Sequence, residues 1–109
     1  MAGLDANDTA EVTFDLAEAD RDGLRVRITG ELDITNVDAL ESAVGSALKR
    51  HPGRLVLELS GLRFADSSAI ALWVRWSAAV HEIELRDVSP ILRRVIDSMG
   101  LADTLNVKP

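Results

Sequence analysis

The chain has 109 residues, 47% of them hydrophobic and 28% charged, and it contains no cysteine. That is one domain's worth of sequence, enough to bury about 65% of its unfolded surface in a single core. It excludes disulfides, thiolate metal sites and cysteine nucleophiles. With 12 basic and 18 acidic residues the net charge is −6, so no direct nucleic-acid partner is expected, because each phosphate contact needs Lys or Arg.

No run of roughly eighteen apolar residues occurs, and residues 1–8 carry neither a basic start nor an apolar stretch of the signal-peptide kind. The expectation is a cytoplasmic globular domain without membrane insertion. Residues 1–9 are expected to form a flexible N-terminal tail, and residues 10–109 a single domain.

Val12, Phe14 and Leu16 alternate with Glu11, Thr13 and Asp15, which predicts a strand with one wet face. Asp20-Arg21-Asp22-Gly23 is turn chemistry. Leu24, Val26 and Ile28 alternate with Arg25, Arg27 and Thr29, giving a second strand that ends near Gly30 and can pair with the first. Val37, Leu40, Val44, Ala47 and Leu48 then share one helical stripe. Thr35 or Asn36 is the candidate cap, Asp38 supplies a first-turn carboxylate, and His51-Pro52-Gly53 stops the helix. Residues 54–59 predict a third, more buried strand, with Leu55, Leu57 and Leu59 on one side. Ser60-Gly61 is expected to break it, and Leu62 and Phe64 to act as apolar anchors beyond the break.

Asp66-Ser67-Ser68 precedes residues 69–80, a helix apolar almost all round and therefore expected to be the most buried. Trp73 is expected in the core, and Trp76, next to Arg75, at an exposed edge. His81 is expected in a left-handed conformation at the helix end. Ile83 and Leu85 lie between Glu82, Glu84 and Arg86 and predict a fourth strand. Ser89-Pro90 starts a last helix with Ile91, Leu92, Val95, Ile96 and Met99 as its stripe. Gly100 is its left-handed cap, and Leu101 folds back on it. The order β-β-α-β-α-β-α predicts an α/β fold, a mixed sheet with helices on one face.

Asp66-Ser67-Ser68 has two readings. One is an N-cap cluster, in which a side-chain oxygen accepts from free amides. The other is a phosphorylation switch: a phosphoserine suits a helix N-terminus and adds about −1.5 to −2 charge to any docking surface there. The segment from Glu31 to Asn36 is either a capped strand-to-helix loop or an exposed acidic rim beside Ser67. A calcium loop around Asp20 and Asp22 is rejected: with Gly23 sixth in such a loop, the twelfth position is Thr29, not a bidentate Glu. His51 and His81, without cysteines, make a weak metal case. No G-x-S-x-G surrounds Ser67 and neither histidine is marked as its base, so no catalytic residue is assigned. No glycine-rich phosphate loop is present, and no cofactor is expected.

Four segments, in order and spanning residues 11 to about 107, together resemble the STAS domain of bacterial anti-sigma factor antagonists. Gly30-Glu31-Leu32-Asp33 is similar to the family's G-E-L-D segment, and Leu55-Val56-Leu57-Glu58-Leu59-Ser60 to its central strand. Phe64-Ala65-Asp66-Ser67-Ser68 resembles its D-S-S/T-G switch motif. Val88-Ser89-Pro90, then Arg93 through Gly100-Leu101, resembles its closing helix. The resemblance implies a STAS-like mixed sheet of four to five strands and a cytoplasmic regulatory binding module, not an enzyme. It implies binding to an anti-sigma factor, often an ATP-dependent serine kinase, in the unphosphorylated state, with release of a sigma factor. Phosphorylation by that kinase ends binding, and a phosphatase resets the switch. By position the acceptor is Ser67. Asp66 and Ser68 flank it on the docking surface, and Asp33, Thr35 and Asn36 lie in the neighbouring docking loop. Another branch of the fold implies the alternative, an accessory subunit on the ATPase of a lipid-transport ABC complex. Nucleotide binding by the domain itself ranks last.

Two positions depart from the pattern. Ala69 stands where the family has glycine: it is strained if that position needs a positive φ, and favourable if it lies in the first helical turn. The link from Val80 to Glu82 is short, so the second helix must end early.

Overall fold

The computed structural model describes residues 11–19 and 23–108. The expected N-terminal tail and most of the first turn, residues 20–22, lie outside them. Strand β1 (Val12–Ala19) pairs antiparallel with β2 (Gly23–Leu32), as their alternation predicts. Helix α1 (Val37–Leu48) crosses to β3 (Arg54–Ala65), and α2 (Ser67–Ala79) to β4 (Glu82–Arg86), both strands joining in parallel. Helix α3 (Pro90–Ser98) follows. The sheet order is β1-β2-β3-β4. A parallel bridge between Leu85 and Val107 lays the chain's last described segment along the outer edge of β4.

Alternation decides which face is covered. Val26, Ile28, Leu55, Leu57, Leu59, Ile83 and Leu85 point to one side and form a single apolar cluster with residues of all three helices. The intervening residues face away and are mostly charged. Across the four strands Asp15 is opposite Arg27, Arg27 opposite Glu58, and Glu58 opposite Arg86. Glu58 lies 3.4 Å from Arg25 and 3.8 Å from Arg27. Glu84, buried on this face, is held by Arg54 at 2.8 Å and by Arg86. Burial pushes its carboxyl up, but the two guanidiniums outweigh that and hold it below the usual range.

The third strand is longer than its sequence suggests. It continues through Ser60-Gly61 to Ala65, with register shifts against β2 that absorb the irregularity. Gly61 is there because Thr29 sits over it: a Cβ at Gly61 would lie 3.1 Å from both Thr29 Oγ1 and Cγ2. Leu62 is buried, but Phe64 is 53% exposed, so it does not anchor the core.

Helix α2 buries Ala69, Ile70, Leu72, Trp73 and Trp76. Trp76 is 4% exposed, not at an edge; its spacing from Leu72 and Trp73 decides its direction, and its neighbour Arg75 does not. Ser67, Ala71, Arg75, Ala78 and Ala79 are its exposed residues. The helix ends when Val80 turns extended (φ −129°, ψ 161°). Of the two histidines, His51 (φ 55°) is the left-handed one and His81 is not, because the short α2–β4 link runs straight into the strand. At α3, Leu92 accompanies Ile96 into the core, whereas Ile91, Val95 and Met99 are exposed. Its ends match expectation. Ser89 Oγ accepts from Leu92 N–H at 3.2 Å. Gly100 (φ 72°) and Leu101 donate to Asp97 O and Ile96 O at 3.0 and 3.1 Å, closing a Schellman motif.

Ala69 lies within the first turn of α2 and is fully buried. Alanine is thus the favourable choice, and Ala69→Gly is expected to destabilise the fold by about 1 kcal/mol, measured by urea unfolding. A neutral or stabilising result would mean that the backbone here prefers a non-helical conformation.

Candidate functional site

The parallel strands β2 and β3 end side by side, with Leu32 opposite Ala65. Asp66 N–H donates to Leu32 O at 3.2 Å. The loop after β2 and the start of α2 are therefore neighbours at the carboxyl ends of the strands.

The first loop is closed by its own polar side chains. Asp33 Oδ1 accepts from the Thr35 amide at 2.9 Å and from its hydroxyl at 2.6 Å. Asn36 occupies the N-cap position of α1 without capping it by its side chain. Its Oδ1 instead accepts from Asp33 N–H at 3.0 Å, and its Nδ2 donates to Glu31 O at 2.8 Å. Thr35 is not the cap either; its amide and hydroxyl both donate to Asp33. The helix is started by the loop's backbone, with Val37 N–H donating to Asp33 O at 2.9 Å.

Asp66 joins the two segments. Its Oδ1 caps α2, accepting from Ser68 N–H at 3.0 Å, from Ala69 N–H at 3.3 Å and from the Ser68 hydroxyl. Its Oδ2 accepts from Ile34 N–H at 3.2 Å, thirty-two residues away in sequence. Burial alone would raise this carboxyl's pKa. The bonds from Ser68, Ala69 and Ile34 outweigh it and leave the group below its ordinary value. The capping reading of Asp66 is therefore correct, and the carboxylate stays ionised at neutral pH. Ser67, the first residue of α2, is exposed, and no hydrogen bond engages its hydroxyl among the described residues.

The family model described as "Mlab, STAS domain" matches residues 16–107. The chain belongs to the STAS domain family. Among its relatives is the anti-sigma-F factor antagonist RsfB of Mycobacterium tuberculosis, 31% identical over 95% of this chain and 85% of that protein. An anti-sigma F factor antagonist of Paenibacillus polymyxa is 32% identical over 77% of this chain and 76% of its own. The crystal structure of an anti-sigma factor antagonist from Mycobacterium paratuberculosis superposes with a TM-score of 0.82 at 25% identity, covering 91% of this chain and 86% of that one.

In this STAS domain all six residues singled out from sequence, Asp33, Thr35, Asn36, Asp66, Ser67 and Ser68, lie in the two adjoining segments. Two exposed apolar residues adjoin them and were not singled out. Ile34 is 71% exposed and Phe64 is 53% exposed. Ile34 is held by its amide to Asp66, and Phe64 precedes Asp66 by two residues. An apolar residue inside a polar loop was the available signal for Ile34. For Phe64 there was none, because a strand-end aromatic ordinarily packs inward.

Elsewhere, His51 and His81 line one open depression of about 280 Å³ with Pro52 and the end of α2. No group of three metal-ligating side chains occurs among the described residues, and no described helix is long and apolar enough to cross a membrane.

Proposed function

We propose that this STAS protein binds an anti-sigma factor while unphosphorylated, thereby freeing a sigma factor, and is switched off by phosphorylation at Ser67. The partner would be an ATP-dependent serine kinase, with a phosphatase as the resetting enzyme and the cytoplasm as the compartment. Residues 10–109 act as one domain that binds and does not catalyse. Asp33, Thr35, Asn36, Asp66 and Ser68 belong to the docking surface with Ser67.

The observation that carries this reading is the contrast between neighbours. Asp66 and Ser68 are committed to the helix cap, whereas the Ser67 hydroxyl is exposed and unengaged. A phosphoryl group there adds about −1.5 to −2 charge beside the ionised Asp66, on a surface that also carries Asp33. Like charges set into an interface cost several kcal/mol.

The test uses purified anti-sigma factors of the host, each titrated with wild type, Ser67→Ala and Ser67→Asp. Wild type is expected to bind one of them and to gain a single phosphoryl group with ATP. Ser67→Ala should bind without being modified, and Ser67→Asp should bind at least about tenfold more weakly. Equal binding by Ser67→Asp, or phosphorylation of Ser67→Ala at the same rate, would sink the reading. So would co-purification with a transporter ATPase and no binding to any anti-sigma factor.

A further inference from the structure

The polar residues of the docking surface are largely occupied with one another. Both carboxylate oxygens of Asp66 accept bonds from within the chain, Asp33 Oδ1 is filled by Thr35, and Asn36 bridges Asp33 and Glu31. To bond a partner, these groups must give up or share the contacts that shape the loop. Ile34 and Phe64 have no such commitment. They are among the most exposed large apolar side chains of the described residues. Each is fixed by backbone, Ile34 through its amide bond to Asp66 and Phe64 through strand pairing opposite Glu31. Their backbone needs no further ordering when they are covered, which removes one of the costs of binding.

We propose that Ile34 and Phe64 are the two apolar anchors of the partner interface, and that Asp33, Thr35, Asn36 and Asp66 are positioning residues that hold them in place. The proposal rests on the antagonist reading above. The occupant is the anti-sigma factor, presenting an apolar recess with a basic rim. The basic rim follows from charge. Glu31 is paired with Arg63, and Glu41 with Arg75, but Asp33, Asp38 and Asp66 have no ion-pair partner among the described residues. Their charge is left for the partner to neutralise. The anchors also sharpen the switch. Covering them removes water from around Ser67, and a phosphoryl dianion is costliest where it is desolvated without a counter-charge.

The experiment titrates the same purified host anti-sigma factors with Ile34→Ala, Phe64→Ala and, as a control, Ile91→Ala on the exposed stripe of α3. Both anchor variants are expected to keep the wild-type melting temperature, since both side chains are exposed. Each should weaken binding by about tenfold or more. Ile91→Ala should bind like wild type. If Ser67→Asp loses binding while Ile34→Ala and Phe64→Ala keep it, the anchors are wrong and the antagonist reading stands. If Ile91→Ala alone weakens binding, docking is on α3 and the proposal is overturned. If wild type binds no anti-sigma factor, the antagonist reading fails and takes the anchors with it.

Discussion

Replacing Gly30 with alanine is expected to destabilise the domain by roughly 3 kcal/mol or more, combining a left-side backbone strain with an overpacked contact. Gly30 has φ 104°. A Cβ there would stand 2.3 Å from Glu11 O and 3.3 Å from Val12 Cα. Both obstacles are backbone atoms, so no side-chain rotation relieves them. The same Glu11 carbonyl accepts from Glu31 N–H at 2.8 Å, so pushing it away also loosens the start of the loop between β2 and α1. The melting temperature should fall by more than about 10 °C, with weaker partner binding at temperatures where the fold survives. A loss below about 1 kcal/mol in urea unfolding would show that the β1 end yields freely and that glycine is not required here.

Asp66→Ala is expected to cost about 2 to 3 kcal/mol, because it removes a helix cap and a bond to a charged acceptor together. Asp66→Asn separates the two. An asparagine oxygen can still cap α2, but one of its two positions becomes a donor facing the donor of Ile34. The asparagine variant should therefore keep most of the stability and lose the link between loops, read as faster exchange of the Ile34 amide and weaker partner binding. The pH dependence has a definite sign. The folded carboxyl titrates below its ordinary 3.8, so its stabilisation is complete above that value and is lost as pH falls through the folded one. Wild type and Asp66→Ala should converge in stability in acid. A constant difference between pH 7 and pH 2 would show that the carboxylate's charge contributes nothing.

What was legible in the sequence is what depends on near neighbours. The strands β1 and β2, the Ser89-Pro90 start, the Gly100 stop and the Asp66 cap each follow from residues within about four positions of one another. What was not legible needs a second element to be in place. Gly61 looks like punctuation until Thr29 lies over it. Ile91, Val95 and Met99 look like one stripe with Leu92 and Ile96 until the helix is seen to offer only one side to the sheet. The site divides the same way. Asp66 as a cap is local, whereas its bond to Ile34, and hence the union of the two loops, spans thirty-two residues.

The charges on the uncovered face of the sheet bear on how the strands find their partners. A slip of one residue between strands would turn apolar side chains outward, and the core forbids it. A slip of two residues keeps every side chain on its proper face, so alternation alone does not distinguish it. The charges do. Moving β4 by two positions along β3 in one direction brings Glu84 opposite Glu58, in place of the native pairing of Glu58 with Arg86. Like charges directly opposite each other are destabilising. Glu58, Glu84 and Arg86 thereby weigh against one β3–β4 alignment that inward–outward alternation alone would accept.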